Sequence, residues 1–205
     1  RYVVSPKAID LFAGPGGLSL GLKKAGFDVI AAVEYDEAAA RTYEQNIGNH
    51  VFRRNIANIR PPEMKMELES NGRLKAGEEL ALIAGGPPCP GFSLIGRSKI
   101  SSLIKSGDFV ASEDPRIQFL ADERNLLFQN FVEYVNYFEP KYFIMENVQG
   151  MESYEYEDGD SIVEHIKSEF TNYVVVEEVL CASNYGVPQD RHRIIFLGYH
   201  KKNAN

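Results

Sequence analysis

One unit near the start constrains this chain more than any other: a strand, a glycine turn, a helix, and a second strand ending on an acid. Residues 3–12 read as a buried strand whose entry is kept irregular by Pro6. Ala13-Gly14-Pro15-Gly16-Gly17 then makes a tight turn, and residues 18–26 read as a helix with Leu18 and Leu22 on one face and Gly26 as its stop. Residues 28–34 form the next strand and finish on Glu34. This is the layout of a βαβ unit that binds a nucleoside-bearing ligand, with the acid placed to hold ribose hydroxyls. The third glycine of the G-x-G-x-x-G fingerprint is missing, which argues against a pyrophosphate on the helix N-terminus. Alone, the turn is equally a purely structural one. Glu34, 24 residues after Asp10, favours the ligand.

A second stretch has the same grammar. The apolar run Leu80-Ala81-Leu82-Ile83-Ala84 reads as a buried strand, and it empties into Gly85-Gly86-Pro87-Pro88-Cys89-Pro90-Gly91-Phe92-Ser93. Two prolines in succession fix φ and remove two backbone donors, so the loop is stiff. In open α/β sheets ligands bind at the carboxyl ends of the strands, which is where this places the Cys89 thiol. The alternative is a small buried hydrophobe in a turn. A third strand, Tyr142-Phe143-Ile144-Met145, delivers Glu146-Asn147-Val148 to that same edge.

The remaining elements follow from periodicity. Residues 37–47 have helical composition, 50–55 form a short strand, and 61–77 are polar, with charges and helix formers, and read as a surface cover. Residues 93–124 lack a firm period and read as a long loop of the lid type. A helical stripe of Leu127, Phe131, Tyr134, Val135 and Phe138 is stopped by Pro140, and residues 161–170 repeat the pattern through Ile162, Val163 and Ile166. Strands at 174–180 and 193–197, joined by a short link, suggest an antiparallel pair at one end of a mainly parallel sheet. Cys181, just after the first of these, reads as buried.

Composition narrows the function. With 44% hydrophobic residues in 205, the chain can bury a full core as a single domain. No run reaches the roughly 18 apolar residues of a membrane span. Two cysteines and four scattered histidines give neither a disulfide framework nor metal-ligand spacing. The formal charge of −7 argues against a chain that grips nucleic acid over most of its surface. A functional free thiol fits a reducing compartment.

Four blocks taken together resemble the DNA (cytosine-5)-methyltransferase family. They are Asp10-Leu11-Phe12-Ala13-Gly14-Pro15-Gly16-Gly17, Pro88-Cys89 with Gly91-Phe92-Ser93, Glu146-Asn147-Val148, and Gln189-Asp190-Arg191-His192-Arg193. The resemblance implies an α/β fold, the S-adenosylmethionine-dependent methyltransferase (Rossmann-like) doubly wound sheet, mostly parallel with an antiparallel last strand. It implies S-adenosyl-L-methionine as cofactor, with Phe12 stacked on the adenine and Gly14, Pro15 and Gly17 near the methionine part. Glu34 would take the ribose, Tyr35 the other adenine face, Asn55 with Ile56 the adenine edge, and Pro88 and Leu127 would complete the pocket. Asp122-Glu123-Arg124 would be the motif preceding Leu127.

The implied activity is methyl transfer to C5 of a cytosine flipped out of duplex DNA, with Cys89 as nucleophile at C6 and Glu146 at N3 and the exocyclic amine. Arg193 would sit at O2 and position Glu146, with Arg191 in support. The loop at 93–124 would close over the base and meet phosphates through Arg97 and Lys99. An RNA (tRNA) cytosine-5 methyltransferase is the neighbouring reading within the family, and a cofactor-binding subunit inactive without a partner is a third. The departures are Pro90, where the family commonly has Gln, and the lack of the family's target-recognition region and closing motifs in residues 1–205. These lead us to expect an excised catalytic domain or a split enzyme needing a C-terminal fragment. The implied setting is bacterial cytoplasm at the nucleoid, within restriction–modification, or a eukaryotic nucleus.

Overall fold

The computed structural model describes residues 5–88, 126–152 and 161–203. Seven strands form one sheet in the order β3-β2-β1-β4-β5-β7-β6. The first four are β1 (Lys7–Leu11), β2 (Asp28–Glu34), β3 (Val51–Arg53) and β4 (Leu82–Gly85), followed by β5 (Tyr142–Val148), β6 (Tyr173–Cys181) and β7 (His192–His200). β1 through β5 pair in parallel, whereas β7 runs antiparallel to both β5 and β6. The last strand is therefore the one reversed, and it is inserted inside the edge strand β6.

The helices divide between the two faces. α1 (Gly17–Lys24) and α2 (Glu37–Asn46) cover one, with Leu22, Tyr43 and Ile47 packed on Ala8, Val29 and Ala32. α3 (Pro61–Ser70), α4 (Leu126–Phe138) and α5 (Ile162–Ser168) cover the other. There Met64, Leu68, Phe128, Phe131 and Ile162 pack on Ile9, Leu11, Ile83 and Phe143. Local caps fix the helix starts: the Asp36 side chain accepts from the Ala39 N–H at 2.8 Å, and that of Ser161 from Val163 at 3.2 Å. Glu139, at φ 44°, and Pro140 end α4.

The chain leaves the centre of the sheet at β1, runs outward to β3, and returns beside β1 as β4. The crevice at this reversal, beyond the carboxyl ends of β1 and β4, is the switch point where such sheets take ligands. Gly85 is required there, because a Cβ would collide with the carbonyl oxygen of its neighbour Leu11.

Several expectations need correction. Residues 61–77 are more than a surface cover, since α3 buries Pro61, Met64 and Leu68. The helical period was diluted by the charges around it. β1 begins at Lys7 and ends at Leu11, because Phe12 turns to φ +63°. β5 continues to Val148, so Glu146 lies within the strand opposite Ile195 rather than after it. β7 extends to His200 because Gly198 leaves room for the Phe143 ring it pairs with. Cys181 is the last residue of β6, only half-buried, with its Sγ 3.1 Å from the Ser183 hydroxyl.

Half of one sheet face is uncovered among the described residues. Tyr142, Leu197, Val174 and Val176 point away from the α3–α5 layer and are 47%, 41%, 36% and 53% exposed. No helix among the described residues is long and apolar enough to cross a membrane.

Candidate functional site

The glycine turn is held by several independent ties. The Ala13 N–H donates to the Val33 carbonyl at 2.9 Å, and the Gly14 N–H to Glu34 Oε2 at 2.7 Å. The other oxygen of Glu34 accepts from the Asp36 N–H, also at 2.7 Å. Gly14 and Gly16 have φ of +56° and +102°, so the turn passes through the left-handed region three times, counting Phe12. For Phe12 that conformation costs roughly 1 kcal/mol. Gly16 is sterically required: a Cβ there would lie 2.5 Å from Ile47 Cγ1 and 3.0 Å from Tyr43 Cδ2. Gly17 has nothing within 4 Å of a Cβ position.

Beside the turn lies a cavity of about 680 Å³ lined by Phe12, Glu34, Tyr35, Asn55, Ile56, Pro88 and Leu127, together with Val33, Arg54 and Ala57. The first seven were all singled out from the sequence; Gly14, Pro15 and Gly17 do not line it. Val33, Arg54 and Ala57 were overlooked, although each is a chain neighbour of a residue that was named. The Asn55 amide oxygen already accepts from the Ala57 N–H at 3.0 Å, capping a 3₁₀ turn over Ile56–Asn58. Apolar walls with one carboxylate at the strand end suit a flat base bearing a hydroxylated sugar. S-adenosyl-L-methionine therefore fits the residues present.

A second group lies in the C-terminal part of β5. Arg193 Nε is 2.7 Å from Glu146 Oε1, while the nearest Arg191 nitrogen is 3.9 Å away. Glu146 pairs with Ile195, so Arg193, two residues along β7, is its diagonal neighbour on the same face. A Cβ on Gly86 would stand 2.9 Å from Glu146 Oε2, which brings the backbone of the loop before Cys89 against the carboxylate. Asn147 faces the opposite way and is buried; its Nδ2 donates to the Pro87 carbonyl at 3.2 Å, and its Oδ1 accepts from the Val148 N–H. It fixes the loop to β5, a role the sequence reading did not assign. Glu146, Arg191 and Arg193 share a smaller cavity of about 270 Å³ with Leu180, Ala182, Tyr185 and Ile195. Cys89, the loop at 93–124 with Arg97 and Lys99, and Asp122-Glu123-Arg124 lie outside the described residues. Among the described residues no group of His, Cys, Asp or Glu is arranged to hold a metal ion.

Beneath the turn is a buried carboxyl that sequence reasoning passed over. Asp10 is fully buried, and its Oδ2 accepts from the Ser19 hydroxyl at 2.6 Å. Burial pushes its pKa up to about 7, against the Ser19 hydrogen bonds and with help from the nearby Glu34. Its position as the first residue of the turn motif was the available signal.

A mostly parallel sheet with its last strand reversed, and a ligand crevice beside a glycine turn, is the S-adenosylmethionine-dependent methyltransferase variant of the doubly wound fold. The family model for C-5 cytosine-specific DNA methylases matches residues 6–205, and the chain belongs to that family. It is 38% identical over 193 residues to the type II methyltransferase M.DdeI of Desulfomicrobium norvegicum, covering 93% of this chain and 40% of that protein. Identity to M.XorII of Xanthomonas oryzae pv. oryzae is 33% over 198 residues, covering 96% and 41%. The crystal structure of a prophage-encoded E. coli protein aligns with a TM-score of 0.72 at 29% identity, over 97% of this chain and 47% of that one. The Dnmt2 methyltransferase of S. pombe shares the fold, with a TM-score of 0.63 at 17% identity over 95% and 49%. The chain thus spans about 40% of the length of these two type II relatives.

Proposed function

We infer that this chain carries the cofactor pocket and catalytic groups of a DNA (cytosine-5)-methyltransferase, acting on a cytosine flipped out of duplex DNA. The observation that carries this reading is the Glu146–Arg193 pair, 2.7 Å apart, against the loop that leads into Cys89. The family of the chain and its type II relatives favour DNA over RNA as substrate.

Phe12 and Tyr35 would hold the two adenine faces of S-adenosyl-L-methionine, Asn55 and Ile56 its edge, and Glu34 its ribose. Pro88 and Leu127 would close the pocket, and Gly14, Pro15 and Gly17 would let the methionine end approach the backbone. When bound, this cofactor supplies an electrophilic methyl group. Cytosine C5 is too weak a nucleophile to take it unaided. Addition of the Cys89 thiolate to C6 moves electron density to C5 and N3, dividing one difficult step into easier ones. Glu146 would hydrogen-bond N3 and the exocyclic amine as that density arrives. Arg193 would hold the Glu146 carboxyl in place and meet O2, with Arg191 behind it. Loss of the C5 proton then restores the C5–C6 double bond and expels the thiolate. Extracting the base from the stack costs a few kcal/mol, which contacts to DNA must offset.

A net charge of −7 leaves much of that affinity to a separate target-recognition region. The face on which Tyr142, Val176 and Leu197 are exposed among the described residues would offer a C-terminal fragment an apolar surface on which to pack. Bacterial relatives of restriction–modification type favour a role at the nucleoid in the cytoplasm. The test is transfer of labelled methyl from S-adenosylmethionine to duplex DNA, with and without added C-terminal sequence from a relative. Transfer should appear only in the complemented sample and vanish with Cys89→Ser. Turnover by the Cys89→Ser chain would contradict the reading.

A further inference from the structure

Asp10 is not part of either cavity, yet it begins a continuous hydrogen-bond chain that is buried from Asp10 to Tyr43 and part-buried at its far end. Its Oδ2 accepts from Ser19 Oγ at 2.6 Å, Ser19 Oγ lies 2.9 Å from the Tyr43 hydroxyl, and that hydroxyl lies 2.8 Å from His50 Nε2. Four elements are thereby joined: β1, α1, α2 and the segment entering β3. Asp10 and Ser19 bracket the glycine turn in sequence, so their bond closes it like a clasp. The next group in the chain, Tyr43, also presses on Gly16, where no side chain fits. The second oxygen, Asp10 Oδ1, is buried with no hydrogen-bond partner.

The direction of the chain follows from the protonation state. At 2.6 Å the hydroxyl-to-carboxyl bond is short enough to be one to a carboxylate. With Asp10 ionised, Ser19 must donate to it, so Tyr43 donates to Ser19 and His50 Nε2–H donates to Tyr43. Every donor then points at Asp10. A proton on Asp10 removes the charge that orients this chain, and Ser19 is no longer bound to donate.

We propose that Asp10 is a proton-sensitive positioning residue for cofactor binding, acting through Ser19, Tyr43 and His50 on the shape of the glycine turn. This rests on the turn serving S-adenosylmethionine as proposed above. The ionised form holds the turn closed for the ligand; the protonated form releases it.

The surroundings agree. From β2 the Glu34 carboxylate faces Asp10 and favours its protonation, while the strand on its other side offers only Ala84 and Gly85. From α1 and α2 come the uncharged Ser19 and Tyr43. At the far end, burial together with Arg73 and Lys23 holds the His50 pKa below its usual range against the opposing pull of Asp28, so the imidazole stays neutral where Asp10 titrates. Glu34 also receives the Gly14 N–H, so the anion that burdens Asp10 is itself tied to the turn.

The experiment is calorimetric titration of the chain with S-adenosylhomocysteine from pH 6 to 8.5. Wild type should weaken about tenfold between pH 8 and pH 6, the loss expected if only the ionised form binds. Asp10→Asn, held in the uncharged state, should bind at least about tenfold more weakly than wild type at pH 8 and vary less than about twofold over that range. Tyr43→Phe keeps the ring against Gly16 but removes a donor from Ser19, so its profile should keep its shape and move to higher pH. A flat wild-type profile, or Asp10→Asn binding as tightly as wild type at pH 8, or no displacement with Tyr43→Phe, would overturn the proposal. Without ligand, the Gly14 and Gly16 amide resonances should titrate with the same midpoint in wild type and not in Asp10→Asn. That titration with no binding at any pH would overturn the cofactor reading, and the role in binding with it, while leaving the clasp itself intact. Absence of the ligand-free titration would overturn the clasp.

Discussion

Arg193 reaches Glu146 through its Nε, at 2.7 Å, from a position two residues before the one that pairs with Glu146 across the sheet. The contact is thus built by strand register, and the nearest Arg191 nitrogen, outside the strand, remains 3.9 Å away. Arg193→Lys should not restore function, because an ammonium cannot reproduce a fixed guanidinium N–H. We expect Arg193→Ala and Arg193→Lys each to lower kcat/KM about 100-fold, and Arg191→Ala less than about tenfold. Steady-state methylation kinetics of the complemented chain would check this. The pair is partly exposed, so unfolding free energy should change by no more than about 1 kcal/mol.

Asn147 should separate loop positioning from cofactor binding. Asn147→Ala leaves the buried Pro87 carbonyl without its donor and the Val148 N–H without its side-chain acceptor, a cost of about 1–3 kcal/mol in stability. Methyl transfer should fall by more than this accounts for, with S-adenosylhomocysteine affinity retained. Equal losses in binding and turnover would show that the Asn147 bond serves the fold alone.

Two neighbouring glycines should respond oppositely. Gly16→Ala meets Ile47 and Tyr43 in a left-handed conformation, and should cost about 1–3 kcal/mol. Gly17→Ala has open space at the start of α1 and should be neutral or stabilising by up to about 1 kcal/mol. If the cofactor approaches Gly17 as proposed, the same substitution lowers affinity without lowering stability. Urea unfolding and calorimetry on both variants distinguish the cases.

Why some of this was legible in the sequence and some was not has a physical basis. The first βαβ unit announces itself because glycines, an apolar run and a terminal acid are local features, and six of the seven strands needed only short apolar runs. Glu146 could be placed at the sheet edge from its strand, but its pairing with Arg193 was legible only through motif resemblance, since their meeting depends on the register between β5 and β7. The Asp10–Ser19–Tyr43–His50 chain joins residues 9, 24 and 7 positions apart that share no periodicity. No window of sequence contains that relationship. The buried face of α3 was missed because Met64 and Leu68 stand among charged residues, although their spacing of four is helical.

The buried Asp10 has a stability consequence with a definite sign. Its folded pKa of about 7 stands above the ordinary 3.8, so the native state holds a proton that the unfolded chain releases between those values. The stability it contributes is fully present below about pH 4 and is lost as pH rises through 7. Wild type should therefore lose on the order of a few kcal/mol from this group between pH 4 and 8, at 1.36 kcal/mol per pH unit. Asp10→Asn should remove that slope and be the more stable form at pH 8. Denaturant midpoints across the range check it; a difference between the two chains that is constant with pH would contradict it.

The central claim is that Cys89 attacks the target cytosine, and the most direct measurement uses duplex DNA carrying 5-fluorocytosine at the target, with S-adenosylmethionine and complementing C-terminal sequence. Fluorine cannot leave as a cation, so elimination stops and the adduct persists. Mass spectrometry of the digested complex should find the methylated fluorocytosine on the peptide containing Cys89, and none after Cys89→Ser. The half-buried Cys181 is the internal comparison. An adduct on Cys181, or undiminished methylation of ordinary DNA by the Cys89→Ser chain, would contradict the mechanism.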